Sequence, residues 1–156
     1  MLADKSIRQA GLADLAFVKE VSRQTIQSIY PHYYPRGAVD YFLAHHSEEN
    51  IMSDIEARSV FILERDKSPV GTVTLKGAEI CRLFVFPEHQ GNGYGRMLLD
   101  FSEEVIAKKH ERVHLAASLP SKGIYIKRGY REIESHSILT ENGDYLCYDV
   151  MEKKLK

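Results

Sequence analysis

Long apolar runs are missing from this chain. The longest, such as Leu83–Phe86, fall far short of the roughly 20 residues that cross a bilayer, and Met1–Arg8 holds no apolar signal core. The expectation is a protein that stays in the cytoplasm, away from membranes. An excess of charge is missing too: 21 lysines and arginines stand against 22 aspartates and glutamates, a formal net charge of -1. Proteins that hold nucleic acid by neutralising phosphates carry a basic excess or a basic run, so nucleic acid is not an expected partner. Cysteine is scarce. Cys81 and Cys147 form no Cys-x-x-Cys pair, and in a reducing compartment no disulfide is expected. Both are read as small buried hydrophobes, and no metal site is expected. Internal repeats, low-complexity stretches and Pro/Gly/Ser linkers are also lacking, so nothing divides the chain.

What remains is ordinary globular material. With 44% hydrophobic and 28% charged residues, the composition points to neither disorder nor a fibre. At 156 residues a chain can bury roughly two thirds of its unfolded surface in one core, so residues 1–156 are expected to form a single domain. A homodimer is compatible with this composition.

Local patterns set out the elements. Ser6–Ala10 reads as a strand, and a helix follows in which Asp14 favours the N-terminal dipole and Leu15, Val18, Val21 and Thr25 keep helical spacing up to Tyr30. Pro31 and Pro35 then interrupt with an aromatic loop. Ala38–His46 is a second helix, and Ser47 caps a third that runs to about Ala57. From Ser59 the period changes to that of strands. Val60–Leu63 and Val70–Lys76 form a hairpin around Asp66-Lys67-Ser68-Pro69, and Glu79–Phe86 is a third strand, ended by Pro87. The longest helix follows Gln90–Gly95, with Met97, Leu98, Phe101, Val105 and Ile106 on its apolar face and Glu103 and Glu104 among the solvent positions. Val113–Ala117 is a strand, Lys122–Arg128 a short helix stopped by Gly129, and Tyr130–Leu139 and Tyr145–Lys153 a hairpin turned by Asn142-Gly143. This order predicts an α/β (α+β mixed) fold: a central mixed, mostly antiparallel sheet of about 6–7 strands with helices on both faces.

The segment Leu83-Phe84-Val85-Phe86-Pro87-Glu88-His89-Gln90-Gly91-Asn92-Gly93-Tyr94-Gly95-Arg96 carries the chemistry. Glycines after a strand let a ligand approach the backbone, and the helix that follows aims free N–H groups and a partial positive charge at an anion. Arg96 can add a charge-assisted contact. A plain Asn-Gly turn would account for the segment as well. The dinucleotide fingerprint fails, because it needs glycine where Arg96 stands, and the P-loop fails for want of Gly-Lys-Ser/Thr.

The segment resembles the acetyl-CoA motif of the GNAT superfamily of N-acetyltransferases, Gln/Arg-x-x-Gly-x-Gly/Ala, with Gln90, Gly93 and Gly95 in its three defining positions. Downstream, Ile124-Tyr125-Ile126-Lys127-Arg128-Gly129-Tyr130 is similar to that family's Leu-Tyr-x-Lys-x-Gly-Phe segment. The chain departs from the family at Ser118 and Ser121, where many members carry Asn and Ala, and Pro120 and Gly123 alter the helix entry. The resemblance implies transfer of the acetyl group of acetyl-CoA to a primary amine of a small molecule or peptide by direct attack.

It also implies site residues. Leu83, Phe84, Val85, Gln90, Gly91, Asn92, Gly93, Tyr94, Gly95, Arg96, Ser118 and Tyr125 are expected to hold acetyl-CoA, with backbone near Leu83 and Val85 along the pantetheine. Tyr125 matches the family's proton donor to the departing thiolate. Glu79 stands where some members carry a catalytic glutamate, while His32, His45, His46 and His89 are of the residue type whose unperturbed pKa lies near 6.5, and water-mediated deprotonation stays open. The aromatic loop makes Tyr30, Tyr33 and Tyr34 candidates for the acceptor site, which is expected between that loop and the hairpin near Asn142. A GNAT-fold module that senses acyl-CoA without turnover, or an interaction domain without ligand, would be the alternatives.

Overall fold

The computed structural model describes residues 4–155. Its elements run β1 (Lys5–Gln9), α1 (Leu15–Ile29), α2 (Arg36–His45), α3 (Glu48–Glu56), β2 (Val60–Arg65), β3 (Ser68–Lys76), β4 (Glu79–Val85), α4 (Tyr94–Ala107), β5 (Arg112–Ala117), α5 (Leu119–Arg128), β6 (Arg131–Leu139) and β7 (Tyr145–Lys154). Each helix forms where the sequence offers a start and a stripe. In α1 the buried residues Val18, Val21, Ser22, Thr25 and Ile26 fall on one face at three- and four-residue steps. Asp14, in the 3-10 turn before it, accepts the Gly11 N–H at 2.9 Å and two bonds from Arg8 at 2.8 Å. Ser47 Oγ accepts the Asn50 N–H at 3.3 Å and starts α3 as a helix cap. Gly129, at φ 102, stops α5 in the left-handed conformation that suits glycine.

All seven strands join one sheet in the order β1-β2-β3-β4-β5-β7-β6, antiparallel except between β4 and β5. Alternation along β4 shows how its two faces are covered. Phe84 packs with Val21, Ile26 and Ala38 under α1 and α2, while Val85 joins Leu98 and Ile106 of α4 on the other side. Val18, Ile51, Ile55, Val60 and Ile62 complete the layer beneath α1 and α3. No helix among the described residues is long and apolar enough to cross a membrane.

Several local expectations are corrected. Pro69 lies inside β3, not in the turn, and is tolerated there because the register shifts beside its partner Glu64; Asp66 and Lys67, at φ 50 and 68, make the turn. In the β6–β7 hairpin only Gly143 takes a positive φ (88), and Asn142 works through its side chain instead. Cys81 is half-buried, but Cys147 is exposed, and both thiols are free. Glu103 is drawn out of solvent by Arg128 (2.6 Å), Lys153 (2.8 Å) and Tyr130 (2.9 Å), an ionic cluster that ties α4 to the end of α5 and to β7.

Candidate active site

The parallel pair β4–β5 is where the sheet opens. Only Glu79↔His114 and Ile80↔Leu115 are in register, and beyond them the two strands diverge. On its β5 side, strand β4 therefore presents backbone polar groups between residues 81 and 85 to a wedge, while its other side stays paired with β3. At its end the Val85 carbonyl accepts Gln90 Nε2 at 3.1 Å and Thr25 Oγ1 at 3.4 Å. Gln90 thus pins the loop that follows to the strand. Asn92 staples the same loop, with Nδ2 donating to the His89 carbonyl at 2.9 Å.

That loop delivers the N-terminus of α4 to the mouth of the wedge. Gly91 and Gly93 take φ of 83 and 82, which explains glycine at both positions. Gly95 has no such need, being in the first helical turn. A Cβ built on it meets nothing within 4 Å, so its glycine leaves space that this chain does not use itself. The first internal bond of the helix runs from Met97 N–H to the Gly93 carbonyl at 3.1 Å. Among the described residues, no acceptor faces the N–H groups of Gly93, Tyr94, Gly95 and Arg96. Four free donors, a helix dipole and an open cradle form a site for an oxyanion such as a phosphate. Arg96 and Lys127 are exposed on its rim.

Two cavities flank β4. The larger, about 660 Å³, runs past Leu83, Phe84, Val85, Gln90, Gly91, Gly93, Tyr94, Gly95 and Arg96 to Tyr125. The smaller, about 270 Å³, is lined by residues of α2, β4 and β7, among them His45, His46, Glu79, Leu146 and Tyr148. They share Tyr30, Leu83, Phe84, Ser121 and Tyr125. Tyr125 is buried against Tyr130, with ring centroids 5.5 Å apart, and burial together with the nearby Tyr30 pushes its hydroxyl pKa up. Burial likewise pushes Tyr30 up to about 12. Both phenols are therefore protonated at neutral pH.

The sequence-predicted residues fall as follows. Ten of the twelve expected around acetyl-CoA line the larger cavity: Leu83, Phe84, Val85, Gln90, Gly91, Gly93, Tyr94, Gly95, Arg96 and Tyr125. Asn92 does not, being the staple described above. Ser118 lines the smaller cavity, its hydroxyl 2.7 Å from Ser121 Oγ. Glu79 lines the smaller cavity, Tyr30 both, and Tyr33 the larger. Tyr34 lines neither: its ring is only 7% exposed, and its hydroxyl accepts the Leu119 N–H at 2.7 Å, holding the start of α5. The expected opening near Asn142 is shut. Asp144 accepts the Gly37 N–H at 2.8 Å, and a Cβ on Gly37 would run into Asn142 and Thr140, so the hairpin turn sits directly on α2.

A polar cluster on the lining of the smaller cavity lies outside the residues expected from the sequence. Arg82, 5% exposed, donates to Thr74 Oγ1 (2.8 Å), Asp54 Oδ2 (3.0 Å) and His46 Nδ1 (3.1 Å), and Asp54 is also paired with Lys76 at 2.9 Å. A cation among the apolar residues of β4 was the available signal, since a buried charge requires partners. Burial, then Arg82, pushes His46 down to about 3, and His45 is lowered for the same reasons. Cys81 is pushed up to about 12 by burial and Glu79, which leaves its thiol un-ionised.

The acetyltransferase (GNAT) domain family matches residues 18–153. An uncharacterised N-acetyltransferase of Chlorobaculum tepidum is 28% identical over 137 residues, which cover 85% of this chain and 79% of that protein. The crystal structure of a GCN5-related N-acetyltransferase from Rhodopseudomonas palustris aligns with a TM-score of 0.87 at 23% identity, over 99% of this chain and 98% of the other. The PaiA N-acetyltransferase of Thermoplasma acidophilum, solved in complex with coenzyme A, aligns at 0.74 and 22% identity over 97% and 99%. At such identities the two solved structures establish a shared fold.

Proposed function

The chain belongs to the acetyltransferase (GNAT) domain family, and we propose that it transfers the acetyl group of acetyl-CoA to a primary amine of a small molecule or peptide by direct attack. The observation that carries this reading is the meeting of two cavities at Tyr125, one furnished for a phosphate-bearing cosubstrate and the other lined by both polar and apolar side chains. One continuous sheet, together with a family match across most of the chain, supports treating residues 1–156 as one catalytic domain.

In this reading the N–H groups of Gly93–Arg96 receive the pyrophosphate, with Arg96 and Lys127 adding charge at the rim. The unpaired edge of β4 from Leu83 to Val85 holds the pantetheine by backbone hydrogen bonds, and a β4 N–H polarises the thioester carbonyl. Glu79 receives a proton from the attacking amine, directly or through water, since it is the carboxylate that lines the smaller cavity. The nitrogen bonds to the acyl carbon, the C–S bond breaks, and Tyr125 gives its proton to the departing sulfur. The phenol carries its proton at neutral pH, as a donor to the sulfur must.

The test combines binding with turnover. Acetyl-CoA at about 100 times its dissociation constant is expected to stabilise the protein by about 2.7 kcal/mol in thermal unfolding. An amine panel is then expected to release free thiol. Stabilisation without thiol release from any amine would make the chain an acyl-CoA sensor, and the absence of stabilisation would overturn the reading altogether.

A further inference from the structure

The smaller cavity holds a histidine whose protonation pattern is dictated by its neighbour. Arg82 Nε lies 3.1 Å from His46 Nδ1, and a guanidinium has donors and no acceptor, so Nδ1 must contribute its lone pair. In a neutral ring the proton is then on Nε2. Protonating Nδ1 as well would set two donors against each other beside a fixed cation, in a ring packed edge-on to Phe84 at 5.3 Å. The arginine cannot swing away, because Thr74 and Asp54 hold its other two nitrogens.

Nε2 itself has no partner among the described residues, and no buried side-chain nitrogen or oxygen there lacks a hydrogen bond. The atom therefore reaches open space, and the cavity that His46 lines is the smaller one. His46 thus has no free lone pair with which to act as a base. It offers one fixed N–H donor to whatever enters. The lining of the same cavity includes Glu79 and Cys81 on β4 and the rings of Tyr41, Phe42 and Tyr148.

We propose that His46 is a specificity residue, whose Nε2–H donates to a carbonyl oxygen of the acceptor, so that the cavity selects an α-amino carbonyl compound with an apolar side chain over a plain amine. The two natural sources of that chemistry are an amino-acid amide and a peptide N-terminus. The proposal rests on the acetyl-transfer reading for the role of the cavity, and on the Arg82–His46 geometry for its chemistry. Arg82 is a positioning residue, acting only through His46.

The experiment uses three probes: L-phenylalaninamide, a tripeptide amide beginning with phenylalanine, and 2-phenylethylamine, which lacks the carbonyl. Long-range proton–nitrogen spectra of the labelled wild-type protein are expected to show His46 as the Nε2–H tautomer. Its Nε2–H signal should move on adding either carbonyl probe and stay in place with 2-phenylethylamine. In turnover with acetyl-CoA, kcat/KM for the better carbonyl probe should exceed that for 2-phenylethylamine by roughly tenfold, as expected for one directed hydrogen bond. His46→Phe should abolish the preference, while His46→Gln should restore it, since its amide can accept from Arg82 and donate to the cavity at once. The peptide outperforming the amide would assign the source as a peptide N-terminus, and the reverse order an amino-acid derivative. An Nδ1–H tautomer, a signal unmoved by all three probes, or a preference surviving in folded His46→Phe would overturn the proposal. Failure of every probe to release thiol would count against acetyl transfer to these amines, while the spectra would still decide the role of His46.

Discussion

Replacing Gly95 by alanine should move stability and cosubstrate affinity in opposite directions. Gly95 stands in the first turn of α4 with ordinary helical backbone, and the added methyl meets no atom of the protein within 4 Å. Alanine is the better helix former by about 0.5–1 kcal/mol, so the variant without ligand should gain that much. For a chain of this size the gain corresponds to a rise in Tm of roughly 1–4 °C. The same methyl projects into the space left beside the free N–H groups of Gly93–Arg96. Crowding a fitted contact typically costs about 1–3 kcal/mol, which corresponds to a loss of roughly 5- to 150-fold in acetyl-CoA affinity. Thermal unfolding of both proteins with and without acetyl-CoA, together with calorimetric titration, reads both quantities. A variant with raised Tm and undiminished affinity would refute the placement of the pyrophosphate. Gly93 is the poorer probe, because at φ 82 a β-branched residue strains the backbone and confounds folding with binding.

Tyr125→Phe should lower kcat by about 100-fold, with acetyl-CoA affinity changed far less, because the buried phenol acts on the leaving sulfur; equal turnover by the two proteins would remove Tyr125 from the mechanism. Tyr34→Ala should destabilise by about 3–5 kcal/mol, as core aromatic truncations do, whereas Tyr33→Ala, at a side chain 51% exposed, should change stability by less than about 0.5 kcal/mol and weaken acetyl-CoA binding. Urea midpoints and titrations separate the two, and equal destabilisation would contradict the placement of these rings. His46 supplies a pH signature. Its folded pKa of about 3 lies below the ordinary value near 6.5, so between those limits the unfolded chain binds a proton that the folded chain refuses. Stability should therefore fall with acid, by about 1.4 kcal/mol per pH unit more in the wild type than in His46→Gln, beginning below about pH 6.5. Parallel denaturation curves for the two proteins across that range would show that His46 is not held neutral.

The elements of this protein were legible in its sequence because their signals are local. Apolar spacing in α1 and α4, the Ser47 cap, the Gly129 stop and the change of period at Ser59 each depend on residues within one or two turns of each other, and each appears where expected to within a few residues. The corner proposed for the phosphates was legible for the same reason, since strand, loop, glycines and helix N-terminus are contiguous from Leu83 to Arg96. The errors arose where a distant partner intervened. Glu103 looked solvated until Arg128 and Lys153 met it, and Pro69 looked like a turn residue until a register shift gave it a place in the sheet. Tyr33 and Tyr34 are neighbours of one type, yet one borders the larger cavity and the other enters the core, a difference made by helix α5 arriving against Tyr34. By itself the sequence determined which segments become helices and strands, and which corner is furnished with free helix donors, because hydrophobic period, capping and the helix N-terminus are short-range properties. The smaller cavity, the one proposed to take the acceptor, was decided by tertiary structure alone. Its wall joins Tyr30, His46, Glu79, Arg82, Ser118 and Tyr148, and only the divergence of β4 from β5, with α2 laid across the gap, brings them to one volume.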